Sequence, residues 1–269
     1  MEIINMKLGI IGAGNMSSAI LKGVINAGAF SPSDIYVSEI LDYKLKKAAE
    51  LGVNATFDSR EVVEKSDYII FGVKPHVILS VMDEVKDLVK DKVVISIAAG
   101  ISVKAMQNVL GESAKIVRTM PNVPALVGEA MVAICNADNI KESEMAVVLK
   151  IFDSIGKTAM LPERLIDAAT ATNGSGPAYV FMMIEAMADA AVLHGIPRDT
   201  AYLLVTQTIL GAAKLALETK EHPGVLKDMV CSPGGTAIEA VYQLELDGFR
   251  ASLINAIDRC AKKAENMGK

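Results

Sequence analysis

The chain has 269 residues, with 27 Lys and Arg against 32 Asp and Glu, and so a formal charge of −5. That sign argues against nucleic acid, since binding a phosphate backbone needs a basic face that displaces counterions. Three cysteines and three histidines without ligand spacing indicate neither a disulfide framework nor a metal cluster.

The length suits one large domain or two ordinary ones. Hydrophobic residues reach 51%, yet aromatics are 4% and Trp is absent, so the apolar mass is aliphatic and a base-stacking module is poorly served. No unbroken apolar run of about 18 residues occurs, so no membrane span is expected. The stretch 8–21 contains Gly12, Gly14, Asn15, Ser17 and Ser18 and is not read as a leader. The expected compartment is the cytoplasm.

In chain order, apolar runs at 7–11, 35–37, 68–73, 93–98, 115–117, 131–135 and 158–161 predict strands. Helix-length stretches separate them, at 16–28, 42–51 and 141–155 among others, and Gly28 and Gly52 stand where helices should stop. Strands that stay apolar on both faces belong to a parallel sheet covered on both sides. The expected fold class is therefore α/β, a Rossmann-type parallel sheet with helices on both faces. After Pro162 the texture changes, and helices are predicted at 177–194, 198–219, 224–230, 235–246 and 248–266. This places a dinucleotide-binding domain at 1–161 and an all-helical domain at 162–269.

The helix 198–219 has no charge between Thr200 and Ala213. A helix apolar all round must be covered all round. Either a tight monomeric bundle covers it or a second subunit does, and about 100 residues of bundle favour the subunit.

Gly12-Ala13-Gly14-Asn15-Met16-Ser17 follows the first strand and opens the first helix. Two glycines permit a tight turn and close approach of a pyrophosphate, whose charge rests on helix N-terminal N–H groups. Ser17 stands where the pattern usually has a third glycine. Ser38 and Glu39 end the second strand, where a carboxylate can accept the ribose hydroxyls of NADH and repel the 2′-phosphate of NADPH. The alternative is a solvated surface glutamate.

Val73-Lys74-Pro75-His76, Ala98-Ala99-Gly100 and Met120-Pro121-Asn122-Val123-Pro124 stand at or after the ends of the strands at 68–73, 93–98 and 115–117. Parallel strand ends at this edge line a ligand crevice. Lys74 is either a cofactor contact or a surface lysine, and the proline-rich loop is either a wall beside the nicotinamide or a plain turn. In the second half, two glycine-rich segments are expected to interrupt the helices. Asn173-Gly174-Ser175-Gly176-Pro177 precedes the first long helix, and Cys231-Ser232-Pro233-Gly234-Gly235-Thr236-Ala237 precedes a later one. The second presents free N–H groups and a hydroxyl, a natural seat for a carboxylate. Either could equally be a helix cap.

With Arg118-Thr119-Met120-Pro121-Asn122, Gly174-Ser175-Gly176-Pro177-Ala178-Tyr179 and the block 222–245 added, the chain resembles the pyrroline-5-carboxylate reductases over essentially its whole length. The resemblance implies reduction of the cyclic imine 1-pyrroline-5-carboxylate to L-proline with NADH or NADPH, the last step of proline biosynthesis. It implies a helical domain that binds substrate and forms at least a homodimer, in some members a ring of dimers, with the active site at the dimer interface. Carried over, Ser232 and Thr236 act as catalytic groups, and Ser232, Gly234, Gly235 and Thr236 hold the substrate carboxylate. Gly12, Gly14, Asn15, Met16, Ser38, Glu39, Val73, Lys74, Pro75, Ala98, Ala99 and Gly100 bind the dinucleotide, and Met120 and Pro121 border its nicotinamide. One position departs: the family usually has a threonine two residues after the second glycine of Pro-Gly-Gly, and here it is Ala237.

Two rival readings remain. A β-hydroxyacid dehydrogenase joins similar domains but needs a base, commonly a lysine on the first interdomain helix, and 177–194 contains none. A catalytically weak dinucleotide-binding protein has only Ala237 in its favour.

Overall fold

The computed structural model describes residues 6–136 and 138–267. Positions 1–5 and 268–269 of the expected domains lie outside the described residues. Among those described, one sheet holds β1 (Leu8–Ile11), β2 (Ile35–Ser38), β3 (Asn54–Thr56), β4 (Tyr68–Phe71), β5 (Val93–Ser96), β6 (Lys115–Met120), β7 (Ala130–Asn136) and β8 (Gly156–Met160). Their spatial order is β3-β2-β1-β4-β5-β6-β7-β8. The first six run parallel, and the winding direction reverses between β1 and β4.

Every residue of β1, β4 and β5 is buried. Alternate side chains enter different cores, as strand geometry requires. Ile10, Ile70 and Ile95 pack with Ile20 and Val24 of α1 (Asn15–Asn26) and Phe152, whereas Ile69, Phe71 and Val94 pack with Ile78, Met82 and Met106. The remaining helices of this part are α2 (Asp42–Ala49), α3 (Ser59–Lys65), α4 (Pro75–Val85), α5 (Val103–Leu110) and α6 (Glu142–Asp153).

Three details differ from the sequence expectation or add to it. The short strand β3, Asn-Ala-Thr, has no apolar run to announce it. The strand β7 is antiparallel to β6, because only a short 3₁₀ turn at Val123–Val127 joins them and a parallel crossover needs a dozen residues or more. The segment around Asn173 holds a wide turn, Thr170–Gly174, that follows α7 (Ile166–Ala169). A bend at Ser175 then leads into α8 (Gly176–Leu193), which starts as expected with Pro177 in its first turn.

The helices α9 (Arg198–Thr219), α10 (Pro223–Val230), α11 (Thr236–Leu246) and α12 (Phe249–Met267) complete the chain. Two compact units result, one of Met1–Ser175 with Cys260–Lys269 and one of Gly176–Arg259. In the second, the buried apolar side chains are Ala188, Ala201 and Val205. Leu203 is 69% exposed and Leu217 78%. The helical stretches Glu163–Leu193 and Arg198–Thr219 are long and apolar enough, by length and composition, to cross a membrane. Neither reads as an unbroken apolar run, because Gly and Thr occur in both, with Asn173 and Ser175 in the first and Gln207 in the second.

One buried charge ties the first unit together. Arg118 on β6 is 3% exposed, and its Nη2 donates to Asp167 Oδ1 of α7 at 2.5 Å. Its Nη1 lies 3.4 Å from Glu163 Oε1, which also accepts the Val103 N–H that opens α5, at 2.6 Å. Across the ladder from Arg118 sits buried Cys135, whose thiol is pushed up to about 11, chiefly by desolvation and then by Glu163. Removing Asp167 leaves the buried guanidinium only its longer contact with Glu163, so Asp167→Ala should cost about 2 kcal/mol, the worth of a hydrogen bond to a charged group. A lowered urea midpoint at constant slope checks this. An unchanged midpoint would show that Glu163 alone satisfies the guanidinium.

Candidate active site

The glycine loop sits at the carboxyl end of β1, where the strand order reverses, the place in an open α/β sheet where ligands bind. Gly12 has φ 92°, and a Cβ there would come within 2.9 Å of Val73 Cγ1 and 3.1 Å of the Gly72 carbonyl. Gly72, at the exit of β4, is closed by the Ser17 hydroxyl, 1.9 Å from where its Cβ would stand. Ser17 thus fills the third-glycine position by pressing α1 onto a glycine in the neighbouring strand exit.

Gly14 differs. Its φ of −72° suits any residue, and a Cβ would meet nothing nearer than the Gly72 carbonyl at 3.8 Å. Packing within the chain does not demand glycine at this position, whereas close approach by an outside group does. As N-cap of α1, Gly14 offers no side-chain cap to the first helical N–H groups, those of Asn15 and Met16 included. The residues present fit a dinucleotide pyrophosphate.

Glu39 is not a solvated glutamate. It is 7% exposed. Its Oε2 accepts the Ala13 N–H at 2.9 Å and its Oε1 the Leu41 N–H at 3.0 Å. Each carboxylate oxygen retains a further lone pair. Ser38 contributes by its main chain, since its carbonyl accepts the Gly12 N–H at 2.8 Å while its hydroxyl pairs with Ser59. Arg60, the nearest arginine in sequence, is held by both oxygens of Asp87 and by the Glu84 carbonyl.

Val73, Lys74 and Pro75 leave β4, with Lys74 as the exposed N-cap of α4. Ala98, Ala99 and Gly100 leave β5; Ala98 is buried with its N–H on Ser96 Oγ, and Gly100 has φ 75°. Met120 is the last residue of β6, so the strand reaches three residues beyond the expected 115–117. Pro121 follows it.

In the other unit, Ser232-Pro233-Gly234-Gly235 forms one turn. The Gly235 N–H donates to the Ser232 carbonyl at 3.0 Å, with proline second and Gly234 third at φ 67°, the residue pattern of a type II turn. A Cβ on Gly235 would stand 2.3 Å from Ser232 Oγ, so only glycine leaves that hydroxyl in place. Gly235 is the N-cap of α11 without a side-chain cap, which leaves the N–H groups of Thr236 and Ala237 pointing outward beside the exposed Ser232 and Thr236. Each set of expected site residues is thus assembled within its own unit.

Sequence reasoning passed over Gly72, and named Asn122 and Asn173 only as members of their segments, without a role. A glycine directly after a strand was a visible signal for the first. The two asparagines depend on strand register, which the sequence does not display. Exposed Ile40 and Phe57 near the end of β2 and β3 were also passed over.

The chain matches known proteins over nearly its whole length. A family model described as pyrroline-5-carboxylate reductase dimerisation matches residues 163–267, and one described as coenzyme F420-dependent NADP oxidoreductase matches 7–100. The chain is 44% identical over 267 residues to a pyrroline-5-carboxylate reductase of Methanosarcina acetivorans, covering 98% of this chain and 99% of that one. It is 45% identical over 265 residues to the Escherichia coli enzyme, covering 98% of each. The crystal structure of Plasmodium falciparum pyrroline carboxylate reductase with NADP bound superposes with a TM-score of 0.90 at 32% identity, covering 100% of both chains. Near-complete coverage in sequence, together with the match across the helical half, makes this chain a member of the pyrroline-5-carboxylate reductase family.

Proposed function

We propose that the protein reduces 1-pyrroline-5-carboxylate to L-proline with NAD(P)H, as the final step of proline biosynthesis in the cytoplasm, through residues 1–161 for the dinucleotide and 162–269 for substrate and assembly. The observation that carries this reading is a pair of helix starts without side-chain caps, at Gly14 and at Gly235, whose main-chain N–H groups can each seat an anion. The dinucleotide supplies the hydride. The N–H groups after Gly14 hold its pyrophosphate, Glu39 accepts its ribose hydroxyls, the strand exits at Val73–Pro75 and Ala98–Gly100 line its path, and Met120 and Pro121 flank the nicotinamide. The Ser232 and Thr236 hydroxyls and the N–H groups around Gly235 hold the substrate carboxylate and so orient the C=N carbon. Hydride goes to that carbon and a proton to nitrogen. With alanine at 237, an imine that enters already protonated brings this proton itself, and catalysis rests on positioning, worth about 7–11 kcal/mol in favourable cases.

The apolar faces of α8 and α9 are the dimerisation surface in this reading, so neither helix crosses a membrane. Sedimentation of dilute protein should show a dimer or a larger ring; a fully active monomer of 28.5 kDa would remove the proposed assembly.

Glu39 makes NADH the preferred donor, because a carboxylate beside a 2′-phosphate is a like-charge contact. Glu39→Ser should raise KM for NADH about tenfold or more, as expected for lost bonds to a charged group, and narrow the gap to NADPH. A wild type with the lower KM for NADPH, unaltered by that substitution, would take Glu39 out of the cofactor site.

Thr236→Val should raise KM for the imine by about tenfold to a hundredfold, the worth of one hydrogen bond to a charged group. The same variant should handle 1-pyrroline, which lacks the carboxylate, as the wild type does. Equal losses on both substrates would show that Thr236 does not read the carboxylate.

A further inference from the structure

The antiparallel register that pairs Arg118 with Cys135 and Met120 with Ala133 would next set Asn122 opposite Met131. The ladder stops one rung short. The two polar groups of Met131 on that side are taken by side chains instead: its N–H donates to Asn122 Oδ1 at 3.0 Å, and its carbonyl accepts Asn173 Nδ2 at 2.9 Å. Asn173 Nδ2 also donates to the Met120 carbonyl at 2.9 Å, and Asn122 Nδ2 donates to the Asn173 carbonyl at 3.0 Å. Two amides thereby replace a rung of the sheet. Pro121 has no N–H to rejoin it.

The wide turn Thr170–Gly174 brings Asn173 to this position, and Gly174 gives it room, since a Cβ there would lie 2.7 Å from Met120 Cε. Among the described residues Asn173 Oδ1 is buried without a partner. An unpaired buried acceptor is a penalty that offsets part of what the two Nδ2 bonds contribute to the fold. The amide can face only one way, because turning it over would set its oxygen against two carbonyls.

We propose that Asn173 is a positioning residue for hydride transfer. With Asn122 it peels Pro121 from the sheet and fixes the Met120 carbonyl, and so sets the wall that flanks the nicotinamide. This rests on the placement of Met120 and Pro121 given under Proposed function.

The test uses the full-length protein and its Asn173→Ala and Asn173→Ser variants. Calorimetry measures Kd for NADH and for ADP-ribose, which lacks the nicotinamide. Steady-state rates are taken with NADH and with NADH deuterated at the transferred position, beside the thermal midpoint. In Asn173→Ala, ADP-ribose should bind as in the wild type while kcat falls about tenfold to a hundredfold, the scale of a roughly 1 Å misplacement. Kd for NADH should rise and the primary deuterium effect on kcat should grow. Serine, with one short donor, should fall between. Equal weakening of both ligands, or a lower midpoint with kcat and isotope effect unchanged, would overturn the proposal. If Asn173→Ala does not fold, Asn173→Ser carries the same comparison with the same deciding outcomes. A wild type that binds NADH but leaves the cyclic imine unreduced would sink the functional reading, while the NADH against ADP-ribose comparison still judges Asn173.

Discussion

Where β1 and β4 leave the sheet side by side, a Cβ on Gly12 would crowd the Val73 side chain and the Gly72 carbonyl, and one on Gly72 would strike the Ser17 hydroxyl. Much of the first unit's candidate site follows from this approach. It draws α1 against the exit of β4 through Ser17 and aims the helix N-terminus along the carboxyl edge of the sheet. Glu39 and the Ser38 carbonyl brace the loop from the β2 side. The loop is thus rigid before any ligand arrives, and its N–H groups keep their direction. Preorganised donors of this kind cost no rearrangement when an anion binds.

In the reading proposed above, a protein with net charge −5 holds its anions through main-chain N–H groups. Both seats use uncapped helix starts, one after Gly14 and one after Gly235, and each glycine has its own steric reason. At Gly14 the space is left for something outside the chain. At Gly235 it is left for the Ser232 hydroxyl. Two unrelated local structures, a strand-to-helix turn and a proline-glycine turn, arrive at the same physical device: partial positive charge from backbone dipoles in a place that lysine side chains do not need to reach.

Much of this was legible in the sequence. Glycine spacing after an apolar run marks the turn that opens α1, and Ser-Pro-Gly-Gly-Thr the turn that opens α11, because both follow from residues adjacent in the chain. What escaped depends on residues that meet only through the fold. The strand β3 is held by its pairing with β2 and not by apolar content. The direction of β7 is set by the shortness of the 120–130 connection, which a count of strands and helices overlooks. The glycines at 174 and 176 read as a helix break, and a bend does stand at Ser175, but the wide turn before it and the contact of Gly174 with the Met120 side chain have no signal in the chain. The asparagine pair becomes visible only when Asn122 is seen opposite Met131.

The helical unit carries a different consequence. Its own buried apolar side chains are two alanines and a valine, too little to offset the conformational entropy of ordering its helices. In a family whose matching region is a dimerisation domain, the missing burial comes from another copy of the chain. Folding of this half and association are then one equilibrium, governed by mass action. Its stability has no single value: it rises with protein concentration, and a substitution on an outward face of α9 weighs on folding as heavily as one in a conventional core.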